Sequence, residues 1–169
     1  ILPVNDVPVL SSIGDRSFDE DTELNLLLSS FDIDDDPLSY TVSQGLQITA
    51  NLSDNNLIFI PDQDFNGTET FIVTVTDGLL EALETFTITI NAVNDAPVLE
   101  AVSDVSFDED TSGSLSVSGS DIDGDDLSYS ITEGTDITAS LDGSDISFSA
   151  PLDFNGSETF TVSVTDDEL

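Results

Sequence analysis

The sequence predicts an all-β chain built as two β-sandwiches in tandem. Three observations lead there. First, the motifs of residues 4 to 80 return at 93 to 169 in unbroken register. Val4-Asn5-Asp6 returns as Val93-Asn94-Asp95, and Phe18-Asp19-Glu20-Asp21-Thr22 as Phe107-Asp108-Glu109-Asp110-Thr111. Asp32-Ile33-Asp34 returns as Asp121-Ile122-Asp123, and Asp64-Phe65-Asn66-Gly67 as Asp153-Phe154-Asn155-Gly156. The offset is 89 throughout (93 − 4, 153 − 64), and so long a period marks an array of whole domains. Second, apolar residues alternate with polar ones over short runs. Third, turn-forming residues separate those runs.

Taken in order, a first strand lies around Val9-Leu10 and Ser17-Phe18. Leu24, Leu26 and Leu28 alternate, as do Leu38, Tyr40 and Val42, then Ile48, Ala50 and Leu52. Leu57 and Phe59 follow, then Phe71, Val73 and Val75, then Phe86, Ile88 and Ile90. Period-two runs rich in Thr, Val, Ile and Phe read as half-buried antiparallel strands. Asp35-Asp36-Pro37, Asp54-Asn55-Asn56, Asn66-Gly67 and Asp77-Gly78 supply the turns. About seven short strands per repeat is the signature of an immunoglobulin-like Greek-key sandwich. Without Cys or Trp, Phe fills the large core positions.

The expected organisation is residues 1–7 as the tail of a preceding repeat, 8–92 as repeat one, 93–97 as a linker and 98–169 as repeat two. Pro97 fixes its own φ and pushes Ala96 toward extended geometry, which makes the linker stiff. Repeat two stops at Leu169, the counterpart of Leu80. It lacks its last strand, either because the chain is cut there or because another chain donates a strand to the open edge.

Composition narrows the function. The chain of 169 residues carries 36 Asp plus Glu against one basic residue, Arg16, for a formal charge of −35. Nothing can neutralise phosphates, so nucleic acid and anionic lipid surfaces are excluded as partners. With no His, Cys or Lys there is no Ser-His triad, thiol nucleophile or Schiff-base lysine, so an enzyme is not expected. No apolar run is long enough to insert in a membrane. The charge itself reads either as solubility in a salty habitat or as carboxylates awaiting divalent cations. Hard oxygen ligands in clusters, with soft ligands missing, suit calcium better than zinc or copper.

The carboxylates collect at strand ends. Asp32-Ile33-Asp34 and Asp121-Ile122-Asp123 follow predicted strands, where alternate residues point the same way and can grip one ion. Asp19-Glu20-Asp21 precedes the strand starting at Thr22, Asp64 and Asn66 sit in a turn, and Asp77 and Asp166 end a long strand. Known loop motifs do not fit: Asp121-Ile122-Asp123-Gly124-Asp125 begins like an EF-hand, but its Gly stands at position 4 instead of 6, and Thr132 stands at position 12. Asn51-Leu52-Ser53, Asn66-Gly67-Thr68 and Asn155-Gly156-Ser157 are glycosylation sequons and equally good turns. The threonines Thr74, Thr76, Thr85, Thr87 and Thr89 face outward, as a regular ice or glycan surface or as ordinary wet-face residues.

A Glu near the first strand, an Asp-x-Asp after the second and an Asn-Asp-x-Pro linker resemble cadherin repeats. Together with Asp-Phe-Asn-Gly they are most similar to the bacterial cadherin-like tandem repeats of large secreted and surface adhesins. The resemblance covers nearly the whole chain. It implies calcium bound by Glu20, Asp64, Asn66, Asn94, Asp95, Asp121, Asp123 and Asp166 at the junction between the repeats. It implies Asn5, Asp6, Asp32, Asp34 and Asp77 at an upstream junction, and Glu109, Asp153 and Asn155 as half of a downstream one. The cadherin Asp-Arg-Glu is altered, with Phe65 and Asn66 following Asp64. Glu69 either substitutes for the missing acid or is an outward strand residue. The implied function is a calcium-rigidified extender of an extracellular or bacterial cell-surface adhesin or biofilm protein. Its implied partners are neighbouring repeats of the same chain. Identical chains, through homophilic or donor-strand assembly, and extracellular polysaccharide are the alternatives.

Overall fold

Each alternating apolar run is a strand. The computed structural model describes residues 4–166 and 168 and divides into two units, Ile1–Val93 and Asn94–Leu169, each with its own core. No helix occurs among the described residues.

In the first unit, β1 (Val9–Leu10) and β2 (Arg16–Asp19) are two halves of one strand, and so are β3 (Leu24–Leu27) and β4 (Ser30–Phe31). The others are β5 (Ser39–Val42), β6 (Ile48–Ser53), β7 (Asn56–Pro61), β8 (Gly67–Thr76) and β9 (Glu81–Asn91). Nine segments therefore make the seven strands expected. One sheet runs β2-β9-β8-β5 and the facing sheet β3-β7-β6, with β1 on β4. Among the described residues only the β2–β9 ladder is parallel. The first strand thus changes sheets between β1 and β2. Glu84 holds the crossing: its carboxylate accepts the N–H of Ile13 and Gly14, both at 2.8 Å, and the Ser12 hydroxyl at 3.1 Å. Burial pushes its pKa up. The N–H groups of Gly14 and Ile13, the Ser12 hydroxyl and the Arg16 charge together outweigh that and hold it low.

The inward faces meet in a closed core. Ile48, Leu57, Phe59, Phe71, Val73, Val75 and Ile88 are wholly buried. Phe59 meets Phe71 edge-on at 4.8 Å and Phe86 at 6.0 Å, the preferred aromatic geometry. β3 begins at Leu24, two residues later than Thr22. The reason is Asp21, whose φ of 58° is left-handed and cannot continue a strand; the Thr22 hydroxyl bonds the Asp19 carbonyl at 2.6 Å and closes the turn.

The second unit repeats the plan with one strand fewer. It contains β10 (Val98–Leu99), β11 (Ser112–Ser116), β12 (Gly119–Ser120), β13 (Ser128–Ile131), β14 (Thr138–Asp142), β15 (Asp145–Ser149) and β16 (Val162–Thr165). They pair as β11-β15-β14, β13-β16 and β10-β12. The counterpart of β9 would begin at 170 (81 + 89), beyond Leu169. Two further ladders go with it. Residues 67–72 of β8 pair with β9 alone, whereas 73–76 also pair with β5. Accordingly β16 matches 73–76 and pairs with β13, while Gly156–Thr161 form no strand. Val105–Asp108, the counterpart of β2, form none either. Phe160, Val162 and Val164 are only half-buried where Phe71, Val73 and Val75 are wholly buried.

Each unit has its own core, so the two should unfold separately. Amide exchange read by mass spectrometry should be slow over Thr68–Ile72, which the β8–β9 ladder holds. Phe59→Ala should cost about 3–5 kcal/mol of the first unit's stability in denaturant melts and leave the second transition in place. A single cooperative transition for both units would contradict this.

Candidate metal centres

In the first unit, the strand ends gather two acidic clusters at opposite ends of the sandwich. At one end, the loop after β4 carries Asp32, Asp34 and Asp36, Asn5 and Asp6 lead into β1, and Asp77 follows β8. Backbone and amide donors organise the group. The Asp6 N–H bonds Asp34 Oδ2 at 2.8 Å, the Asp34 N–H bonds Asp32 Oδ1 at 2.8 Å, and the Asn5 amide donates to Asp77 Oδ2 at 2.9 Å. Asp77 Oδ1 accepts the N–H groups of Leu79 and Leu80 at 2.6 and 2.7 Å. The Leu80 N–H, then the Asn5 amide and the Leu79 N–H, hold the Asp77 carboxyl below its usual range. Asp32, Asp34 and Asp36 each bring one carboxylate oxygen within 4.8 Å of the others. Asp32 is only 8% exposed, and its Oδ2 is buried without a hydrogen-bond partner among the described residues. A buried carboxylate oxygen without a donor is costly; a cation removes that cost.

The second unit repeats the geometry. The Asn94 amide donates to Asp166 Oδ2 at 2.8 Å, the Asp95 N–H to Asp123 Oδ2 at 2.8 Å, and the Asp123 N–H to Asp121 Oδ1 at 2.8 Å. The N–H groups of Gly124 and Asp125 add to Asp121 Oδ1 at 3.1 and 3.4 Å. Asp121, Asp123 and Asp125 form the matching triad, and Asp121 Oδ2 is buried without a hydrogen-bond partner among the described residues. Desolvation, then the charges of Asp121, Asp123, Asp166 and Asp126, push the Asp125 carboxyl up, as expected where like charges crowd.

At the other end of the first unit, Glu20 is 3% exposed. Its Oε1 accepts the Val93 N–H at 2.7 Å, and its own N–H bonds the Asn91 carbonyl at 3.0 Å. Asp64, with φ 55°, lies beside Asp21, and its N–H reaches Asp21 Oδ1 at 3.5 Å. Asn66 is exposed. In the second unit, Asp153 pairs the same way with Asp110 at 3.1 Å, and Asn155 is exposed. Glu109 is exposed too, in contrast to Glu20, which is buried against the end of β9.

The loop and turn residues Asp36, Asp125, Asp21 and Asp110 were not among the expected ligands. Their signal was in the sequence: each recurs at the same offset (36 + 89, 21 + 89). Glu69 resolves as a structural group. Its carboxylate accepts the N–H of Leu46 at 3.1 Å and of Gln47 at 2.8 Å. Glu158 repeats this on Thr135, Asp136 and Ile137 at 3.1, 2.7 and 3.1 Å. A Cβ on Gly45 would stand 2.0 Å from Glu69 Oε2, and one on Gly134 2.5 Å from Glu158 Oε2, so only glycine admits the staple there.

Two sandwiches with one repeated set of acidic strand ends match the Bacterial Ig domain family over residues 5–91 and again over 94–168. The chain belongs to the bacterial Ig domain family. A curated relative of this bacterial Ig domain pair is Chitinase A of Pseudoalteromonas piscicida, 32% identical over 130 residues. The match takes in 75% of this chain but only 16% of that protein. Among solved structures, human protocadherin-24 EC1-2 (Form II) superposes with a TM-score of 0.57 at 16% identity, over 96% of this chain and 95% of that one. Drosophila N-cadherin EC1-4 gives 0.57 at 16% identity, over 95% and 45%. At that identity the two bacterial Ig domains share the cadherin fold.

The staples set an acid limit. The Asp136 N–H, with those of Ile137 and Thr135, outweighs desolvation and holds the Glu158 carboxyl below its usual range. A carboxyl depressed on folding contributes stability above its unfolded pKa and loses it as pH falls through the lower, folded value. The loop 133–137 should therefore loosen only below the ordinary Glu range. Glu158→Gln should loosen it already at neutral pH, read from the amide exchange of Asp136. Unchanged exchange in that variant would remove the staple from the account.

Proposed function

We propose that these bacterial Ig domains are calcium-binding spacer modules of an extracellular or cell-surface protein, stiffened when their acidic ends fill with calcium. The observation that carries the reading is the buried, unpartnered Oδ2 of Asp32, repeated at Asp121, within a triad of carboxylates. Calcium takes ~6–8 oxygen ligands at 2.3–2.6 Å. Asp32, Asp34 and Asp36, with Asp6, Asn5 and Asp77 close by, offer such a set, as do Asp121, Asp123 and Asp125 with Asp95, Asn94 and Asp166. In the bound state the ion supplies positive charge that offsets the crowding of carboxylates. Glu20, Asp64 and Asn66, with Asp21, are the proposed contribution of the first repeat's far end to ions shared with the following repeat. Glu109, Asp153 and Asn155 are the equivalent half of a downstream site. The proposed partners are therefore neighbouring repeats, and the acidic ends have a mechanical role in place of a catalytic one.

A second reading rests on the similarity to part of Chitinase A. Modules of this kind would then accompany a polysaccharide-active protein and touch its substrate themselves. Retention of the chain on a chitin column, surviving Asp32→Asn and Asp121→Asn together, would favour it over the spacer reading.

Calcium titration decides the first reading. In millimolar calcium the melting temperature should rise and the scattering profile should lengthen relative to chelator. Saturation at ~100 times Kd is worth about 2.7 kcal/mol per site. Asp32→Asn should abolish the calcium-dependent rise of the first unit while leaving its calcium-free melting temperature the same or higher, because a buried unpaired charge is removed. A variant that melts low in chelator and still responds to calcium would make Asp32 a structural residue and sink the assignment. Asp123→Ala should shorten the particle in calcium with both cores still folded.

A further inference from the structure

β5 and β6 are edge strands of the two facing sheets of the first unit, and a cleft of about 550 Å³ opens beside them. That volume lies in the range of small-ligand sites, ~300–1,000 Å³. Tyr40 and Leu52 wall it from the inward faces of β5 and β6, opposite the buried Val75 and Leu57 in their ladders, and Leu38 joins them. Further along, the Gln44 amide bridges to the Ala50 carbonyl at 3.0 Å. The rim is polar, with Ser30 at the start of β4 and Asp54 and Asn55 in the β6–β7 turn.

Most of that rim is tied down. The Asn55 carbonyl accepts the Leu28 N–H at 2.8 Å, and its amide donates to the Leu28 carbonyl at 3.0 Å. The hydroxyls of Tyr40 and Ser30 share a hydrogen bond at 2.5 Å. Asp54 differs. Its carboxylate is exposed and accepts no hydrogen bond among the described residues, yet its φ of 54° is a shape that aspartate adopts at a cost.

The second repeat shows what the fold alone requires. It keeps the apolar walls as Leu127, Tyr129 and Leu141 (38 + 89, 40 + 89, 52 + 89). It keeps the anchor of the turn, where the Val117 N–H bonds the Ser144 carbonyl at 2.9 Å. It does not keep the polar rim: Gly119, Gly143 and Ser144 stand where the first repeat has Ser30, Asp54 and Asn55. Gly143 makes the same left-handed turn at φ 61° with less strain. The turn therefore folds without a carboxylate, and the charge at Asp54 is left for another purpose.

We propose that this cleft of the first repeat binds a glycosyl unit of a neutral or N-acetylated glycan, with Asp54 as its principal acceptor. A pyranose presents C–H faces and a girdle of hydroxyls. The Tyr40 ring and the two leucines suit the faces. The hydroxyls donate to the Asp54 carboxylate, which takes such bonds more strongly than a neutral oxygen, and meet the Tyr40–Ser30 pair and the Asn55 amide. A cationic side chain fits less well, because Asp54 is the one acid in the lining of a chain with 36 acids. The site goes beyond the calcium reading and does not rest on it; it gives the glycan contact of the second reading a place on the molecule.

Backbone amide NMR shifts of the whole chain are followed in chelator while millimolar chitotriose, cellotriose or trilysine is added. At least one of the two sugars should move the amides of Ser39, Tyr40, Asp54 and Asn55 saturably and leave Ser128, Tyr129, Gly143 and Ser144 in place. Asp54→Gly copies the second repeat. It should weaken the binding about tenfold or more, the loss of one hydrogen bond to a charged group, without lowering the melting temperature of the first unit. No saturable shift with either sugar, equal shifts in both repeats, or undiminished binding by Asp54→Gly would overturn the proposal. Shifts with trilysine alone would overturn it too and give the cleft to a cationic side chain. Cellotriose shifts without retention on a chitin column uphold the site and sink the second reading, whereas retention without any sugar shift does the reverse.

Discussion

The sandwich depends on β9. Among the described residues it alone has ladders on both edges in different senses, parallel to β2 and antiparallel to β8. Its inward residues Phe86, Ile88 and Ile90 are almost wholly buried and complete the contact of the two sheets. In the second unit, where the counterpart of β9 would lie past Leu169, the described residues pair less. The β2 counterpart is not a strand, the long strand shrinks to β16, and the aromatic contact left is Phe148 with Phe160 at 5.3 Å. The sheet β11-β15-β14 persists, since its hydrogen bonds are made among its own strands.

The carboxylates divide into two kinds by what they touch. Glu69, Glu84 and Glu158 point at backbone N–H groups and are satisfied by them. They behave as fixed acceptors that hold loops, and at Glu84 and Glu158 those donors favour the charged form. The Asp triads are different. Donors reach one oxygen of Asp32 and of Asp121 and leave the other buried and unpartnered among the described residues. The first kind is finished by the polypeptide alone, while the second is arranged by it and left open. Folding and ion binding are thereby assigned to different side chains, which is why removing an ion ligand is expected to spare the core.

Much of the fold was legible because alternation with period two is a direct image of a strand with one wet face. Phe71, Val73 and Val75 announce their strand, and their burial accords with it. The change of sheet within the first strand was not legible, since it depends on Glu84 reaching across some seventy residues to the Ile13–Gly14 backbone. The start of β3 falls two residues later than the sequence suggests because aspartate seldom signals a left-handed backbone, yet Asp21 adopts one. At the candidate sites, repetition pointed to Asp32, Asp34, Asp121 and Asp123. The Asp-x-Asp motif that carries the family resemblance stops one step short of Asp36 and Asp125, which complete the two triads. The role of Glu69 could not be read locally at all, for its partners lie 22 and 23 residues back.

Six described residues other than glycine have a left-handed backbone, and all six are aspartate: Asp21, Asp35, Asp54, Asp64, Asp110 and Asp153. Glycine would take the same shape with less strain, and Gly124 and Gly143 do so where the first repeat has Asp35 and Asp54. Each aspartate there gives up backbone comfort for a negative charge. The two repeats thus preserve one architecture while holding different balances between conformational ease and acidity. Selection on these turns can move along that balance one codon at a time, adjusting how much charge a repeat carries without altering its shape.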